Sequence, residues 1–323
     1  MQIARLLLLL GAFFGLCVPA HALEGPAAAG PIGGTDIRSA MLPPPGVYVG
    51  TFALAAEAYN FLDGHGDTVP ALKTMHLFKE VGAPFLFYVP KGKVLGGSIG
   101  IGALIPGGNT CGHLFIGENN ECKWTVGDPY VEIDWSRSWA SPRPSKYPGA
   151  YPILQGLTVL AGFGTLFPAG NFDSTSLTTQ ALSLGQNTWD FAPTAGFTYT
   201  TAPILAEGTE ISFRMYWNNY LENPETQFQT GDLLDFEFAL SEHIGRFQFG
   251  VAGFYAYQPE DDKIRGVPIP PDGNRAAVFE IGPVLAYDMP ERAMTMKIKS
   301  ATSVYSINTV EAWGVVFTLF KKF

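Results

Sequence analysis

Apolar and polar residues alternate with a period of two over most of the chain beyond residue 46. Ile211, Phe213, Met215 and Trp217 alternate with Ser212, Arg214, Tyr216 and Asn218. Leu234, Phe236, Phe238 and Leu240 alternate with Asp235, Glu237 and Ala239, and Met294, Met296 and Ile298 with Thr295, Lys297 and Lys299. The same pattern runs through Trp189 to Tyr199, through Phe247 to Gln258, and through the last eleven residues, Trp313 to Phe323, which stop on an aromatic. Successive side chains of a strand point to opposite faces, so each segment reads as a strand with one apolar and one polar face. Helical periodicity is scarce. The alternation predicts twelve strands, beginning near Gly46, Lys73, Lys93, Lys123, Tyr151, Thr188, Thr209, Gly231, Phe247, Arg275, Ala293 and Val310.

The connections alternate too. Those over 60–72, 107–121, 169–187, 221–230 and 259–274 are long, whereas Pro90–Gly92, Ile244–Arg246 and Met289–Arg292 are short. Long loops at one end and short turns at the other mark an antiparallel transmembrane barrel of the outer-membrane type. Two connections fit less well: 139–150 is long for a turn, and Ser306–Thr309 is short for a loop. The rival architecture is a soluble β-sandwich, which buries the apolar faces against each other. The barrel is favoured by strands of about ten residues or more and by aromatics at strand ends: Tyr48, Trp189, Tyr199, Trp217, Tyr257, Tyr287, Trp313 and Phe323. Pro193 and Pro283 fall inside strands, and a closed barrel has no edge for them, so bulges are expected there.

Composition sharpens this picture. Charged residues make up 15% of the chain and aromatics 13%. A soluble domain carries about 25% charged residues, and the deficit fits a surface that faces lipid. Arg5, the apolar run Leu6–Val18 and Ala20-His-Ala22 read as a signal peptide over residues 1–22. The run is shorter than the roughly 20 residues of a membrane helix, and Leu16 is too large for the position before a lipoprotein cysteine at Cys17. The expected organisation is therefore a signal peptide over 1–22, a periplasmic N-terminal segment over 23–45 and a barrel over 46–323, in the bacterial outer membrane. The formal charge of −9, one unit more negative once Arg5 is removed, argues against a nucleic-acid partner. Cys111 and Cys122 flank a polar loop; in an oxidising compartment they form one local disulfide or remain two thiols.

Catalytic, metal and cofactor signals are weak. Gly96-Gly97-Ser98-Ile99-Gly100 matches a hydrolase elbow, but it lies in an alternating strand without a helix behind it. Asp63-Gly-His-Gly-Asp67 reads as a turn more readily than as a cation loop. No catalytic, metal or cofactor-binding residue is assigned. The polar parity is more informative. Glu132, Asp134, Arg214, Asp235, Glu237, Glu280, Lys297 and Lys299 lie within strands, where facing lipid would cost about 2–4 kcal/mol for a basic residue. Facing inward, they either line a pore or pair across a closed interior.

Several motifs in fixed order resemble one family. They are Pro45-Gly46-x-Tyr48, Gly127-Asp128-Pro129, the Gly164–Pro168–Gly170 stretch, Gly185-Gln-Asn-Thr-Trp-Asp-Phe-Ala-Pro193 with Thr198-Tyr199, Asn223-Pro-Glu-Thr226 with Thr230-Gly-Asp232, Phe254-Tyr255 through Gln258 and Asp261-Asp262, and Ile281-Gly-Pro283 with Tyr287. The family is that of outer-membrane channels named for the meta-pathway of phenol degradation. The resemblance covers about Pro44 to Phe323. The chain departs from the pattern over 107–150 and at Lys321, which stands two positions before Phe323 in place of an apolar or aromatic residue. The resemblance implies a barrel in the lipid bilayer of the outer membrane and passage of small organic solutes, often aromatic or hydrophobic. It also makes Phe323 a candidate signal for the outer-membrane barrel assembly machinery. The competing expectations are a non-transport barrel, structural or lipid-acting, and a soluble secreted β-domain.

Overall fold

The computed structural model describes residues 33–323; the expected signal peptide and residues 23–32 lie outside the described residues. Twelve antiparallel strands close into a barrel. They are β1 (Gly46–Leu62), β2 (His76–Val89), β3 (Ser98–Leu104, continued by Gly107–His113), β4 (Glu121–Val126, continued by Tyr130–Ser138), β5 (Ile153–Leu166), β6 (Asp190–Thr200), β7 (Thr209–Tyr220), β8 (Leu233–Ile244), β9 (Phe247–Tyr257), β10 (Ala277–Met289), β11 (Met294–Ile307) and β12 (Thr309–Lys322). Closure is between β1 and β12, from Tyr48 opposite Lys322 to Leu62 opposite Thr309.

The interruptions in β3 and β4 have a common cause. Pro106 and Pro129 carry no amide hydrogen, and the ladder between the two strands breaks beside both. Beyond the break, Gly107–His113 pairs with His76–Gly82 and with Glu121–Val126. This corrects the expected loop over 107–121: the connection is only residues 114–120, and Cys111 and Cys122 sit opposite each other in the ladder as a disulfide. The expected bulges at Pro193 and Pro283 do not form. Pairing of β6 with β7 skips Ala192 and Pro193 and resumes in the same register; pairing of β10 with β11 skips Gly282 and Pro283 likewise. A gap in the ladder on one side accommodates the missing donor without displacing the strand. The bulges fall elsewhere, between Ala58 and Asn60 and after Phe279.

The two faces follow the alternation. Val49, Leu86, Ile133, Ile211, Leu240, Phe249 and Ile298 project outward and are exposed, forming an apolar band. Trp217, Trp189 and Trp313 stand near the long-loop end of this band and Tyr199, Phe247 and Phe323 near the other. An apolar band flanked by aromatics is the surface a bilayer requires. Tyr48 differs from expectation: it faces inward, buried, and stacks on Phe320 with centroids 4.8 Å apart. Lys321 faces outward as expected, its ammonium 5.0 Å from the Phe323 ring centroid.

The long loops pack over their end of the barrel. Leu72, Met75, Leu114 and Leu182 form a buried cluster with Phe61 and Leu77 at the strand ends. The loop between β5 and β6 carries a short helix, α1 (Leu177–Ala181), whose N-cap Ser176 exchanges hydrogen bonds with Thr179. At the opposite end, Glu207 ties three turns together. It accepts from the backbone amides of Lys146 at 2.6 Å and Gly245 at 2.7 Å, and from the Ser145 hydroxyl.

The described part of the segment expected in the periplasm is placed differently. Residues 33–45 run inside the barrel, hydrogen-bonded to strands on its far side.

Candidate functional site: the barrel interior

The interior has two unlike walls. On β12, β1 and β2 the inward residues are mostly apolar: Phe320 and Val316, Phe52 and Leu54, Val81 and Phe85. Small residues make room for the rings; a Cβ on Gly50 would meet the Phe85 ring at 2.3 Å, and one on Gly100 would meet Phe87 at 2.6 Å. That second contact accounts for Gly100, while a Cβ on Gly97 would meet Trp135 Nε1 at 2.4 Å. Ser98 opens a strand that continues through Gly100, rather than a strand-to-helix turn, and accepts a hydrogen bond from Lys93 Nζ at 2.7 Å. The Asp63–Asp67 loop is a turn in which Asp63 Oδ1 accepts from the amides of His65 and Asp67.

On β4 and on β6 to β11 most inward residues are charged or hydrogen-bonding, with small apolar ones such as Ala239, Ala252 and Ala286 between them. Arg214 Nη2 lies 2.9 Å from Glu132 Oε1 and 2.9 Å from Asp134 Oδ1, and its Nε donates to Thr194 Oγ1 at 3.0 Å. The guanidinium also lies over Tyr216, 4.7 Å from the ring centroid, and Tyr130 donates its hydroxyl to Glu132. Around this cluster the N-terminal segment is tied down residue by residue. Glu237 accepts from the amides of Gly34 at 2.9 Å and Thr35 at 2.6 Å. The Asp36 carboxylate accepts from Lys297 Nζ at 2.7 and 2.8 Å and stands 3.4 Å from Lys299 Nζ, which also donates to the Gly33 carbonyl. Arg38 donates to both oxygens of Asp288 and, through Nε, to Gln248 at 2.7 Å, while its amide donates to Glu210. Ile37 packs between Ala239, Ala252, Val284 and Ala286. The Ala40 amide and carbonyl are matched by Thr198 and Ser136.

Each sequence-predicted interior residue therefore faces inward, and they are matched in different ways. Glu132, Asp134 and Arg214 pair with one another. Lys297, Lys299 and Glu237 are matched instead by the N-terminal segment. Glu280 accepts from Ser303 at 3.0 Å. Asp235 is buried beside Glu237, with one carboxylate oxygen unpartnered among the described residues. Asp36 and Arg38 were not singled out from the sequence; the signal was two lysines two apart on the inward face of β11 with no acid in register opposite.

What the polar wall and the segment leave open lies along the apolar wall. A cavity of about 790 Å³ near the chain-terminal end is lined by Phe52, Phe85, Phe87 and Phe320 on one side and by Leu42 and Pro43 of the segment on the other. A second, of about 500 Å³, lies toward the long loops, against Leu54, Ala56, Phe61 and Val316, with Gln180 of α1 at its boundary. Successive inward residues pass from one to the other: Phe52 to Leu54 on β1, Thr318 to Val316 on β12 and Lys297 to Lys299 on β11.

A family model described as "Putative MetA-pathway of phenol degradation" matches residues 60–319. The chain belongs to this family. Among solved structures it is similar to an outer-membrane channel from Pseudomonas putida F1, at 13% identity and a TM-score of 0.70, over 90% of this chain and 100% of that one. It also matches the β domain of the Bordetella autotransporter BrkA, at 8% identity and a TM-score of 0.47, over 86% of this chain and 99% of that one. The NanC porin matches at 9% identity and a TM-score of 0.42, over 84% and 100%. No curated protein sequence matches the chain. The first likeness establishes the fold. With the closed barrel and its apolar outer band, it places this family member in the bacterial outer membrane. Barrels of this type turn their long loops outward and their short turns to the periplasm, which puts the chain-terminal end on the periplasmic side.

Proposed function

We propose that the protein is a channel for small organic molecules, and that solute moves along the apolar wall, past the N-terminal segment. The observation that carries this is the pair of adjoining cavities along the mostly apolar wall of the interior. Concave, mostly apolar space with a few polar groups is what small organic ligands occupy. In this reading Glu132, Asp134, Arg214 and Lys297 border the inner part of the path and Glu280 and Lys299 the outer part, while Asp235 and Glu237 anchor the segment from behind. The role is passage rather than catalysis, and aromatic or hydrophobic solutes are the favoured class. The test is swelling of proteoliposomes in phenyl β-glucoside, a neutral aromatic solute that bilayers exclude, together with conductance in planar bilayers. Uptake no faster than in empty vesicles, with no conductance, would sink the channel reading.

The same reading makes the exposed terminal Phe323 the contact for the barrel assembly machinery. Deleting it is expected to lower the heat-modifiable, membrane-inserted fraction; unchanged insertion would remove that role.

A further inference from the structure

We propose that the outer cavity is a binding site for a monoanionic organic solute, an apolar body carrying one carboxylate, and that Lys79 is its anchor. This deepens the channel reading and rests on it. Lys79 sits on the inward face of β2, opposite Ala56 on β1, and lines the cavity with Leu54, Phe61 and Val316. It is half-buried, enclosed by protein yet open to the cavity. Among the described residues the Lys79 ammonium has no hydrogen-bonding or ionic partner, whereas Lys297, Lys299, Arg38 and Arg214 inside the same barrel are each matched.

Among the described residues two further polar groups, one opposite Lys79 and one at the cavity boundary, are unmatched. Thr110, directly opposite it on β3, is fully buried and its hydroxyl has no partner. Gln180, at the boundary of the cavity on α1, has a buried amide oxygen without one. An ammonium held among apolar side chains without a counter-charge is costly, and a carboxylate brought to it removes that cost. The other charged groups lining the cavity select a single negative charge. Of these, Glu57, Asp262 and Glu280 are acidic, and Lys299 is already matched by Asp36 and the Gly33 carbonyl, so among the described residues a second anionic group would find carboxylates and no free cation. The volume of about 500 Å³ suits a small aromatic or aliphatic acid.

The experiment is fluorine NMR titration of the purified full-length barrel with 4-fluorophenylacetate and with its neutral amide. The wild type is expected to bind the acid about tenfold more tightly than the amide, the size of one charge-assisted hydrogen bond. Lys79→Met is expected to bring the acid down to the affinity of the amide and to leave the amide unchanged; Lys79→Arg is expected to keep the preference. Gel heat-modifiability shows that each variant is folded, and if Lys79→Met does not insert, Lys79→Gln is read in its place. Equal binding of acid and amide by the wild type overturns the proposal, as does an acid affinity unmoved by loss of the ammonium. Either result in a protein that still passes phenyl β-glucoside removes the anion site alone and leaves the channel reading standing.

Discussion

The two walls of the barrel interior treat polarity in opposite ways. The wall of β4 and β6–β11 concentrates charge and then satisfies it, partly across the wall through Arg214 and partly by threading Gly33–Ala40 against it. The wall of β12, β1 and β2 carries rings and aliphatic side chains and is left facing open space. A barrel of this width has to fill or line its interior somehow. Here the filling goes to the charged side, where most buried groups demand partners, and the vacancy to the apolar side, where, Lys79 apart, few do. The charges accordingly act first as a dock for the segment; bordering the proposed path comes second.

If that division holds, breaking the charged wall should cost the most. Arg214→Met strands Glu132 and Asp134 without a counter-charge, and loss of one member of a buried ion cluster costs about 3–5 kcal/mol. Urea unfolding in lipid vesicles is the measurement, and a loss under about 1 kcal/mol would show that water already screens the cluster. The dock itself is probed by Asp36→Asn, which keeps the shape but leaves Lys297 and Lys299 facing a neutral amide. A loss of about 1.5–3 kcal/mol is expected, with higher conductance and faster proteolysis within residues 33–45. Conductance equal to the wild type would mean that Asp36 does not hold the segment in place.

How far these features could be read beforehand depends on the range of the contacts. Period-two alternation is local and survives without knowledge of partners, so the inward parity of Arg214, Glu237 and Lys299 and the outward parity of Phe249 and Ile298 were legible. Which residues pair was not: Arg214 on β7 reaches Glu132 and Asp134 on β4 across the interior, between strands that are not neighbours. The N-terminal segment was illegible for a related reason. It has no periodicity of its own, and its conformation is dictated by the wall it meets. Gly107-Gly108-Asn109 has the composition of a turn, yet it is a strand because β2 and the Cys111–Cys122 pair hold it in register. Tyr48 was read as part of an aromatic girdle; its hydroxyl donates to the Pro44 carbonyl at 2.5 Å, an interior contact that follows from the segment turning into the barrel.

The apolar wall should break more gently. Phe320 stacks on Tyr48 and lies 5.7 Å from Phe85, but it also borders the inner cavity. A ring removed from a tightly packed core costs about 3–5 kcal/mol; with open space beside it, Phe320→Ala is expected to cost about 1–2 kcal/mol on the same scale. Uptake of phenyl β-glucoside should rise, because the path widens without loss of any segment contact. A stability loss as large as that of Arg214→Met would show that the cavity is not open in the membrane-bound protein and would erase the difference between the walls.

The smallest effect is expected at the periplasmic end, outside both walls. Burial raises the pKa of Glu207, but the Lys146 and Gly245 amides and the Ser145 hydroxyl outweigh it and hold the carboxyl below its ordinary value. A carboxylate with a depressed pKa stabilises the fold fully above its unfolded value of about 4.3. That contribution fades as pH falls through the lower, folded value. The clamp should therefore be intact at pH 7 and lost at the acid end, with faster amide exchange confined to the turns around Lys146 and Gly245. Glu207→Gln should show the fast exchange already at pH 7. Loosening that spreads at the same pH into the segment bound at Asp36 would tie the turns to the dock and make the charged wall and its periplasmic rim one cooperative unit.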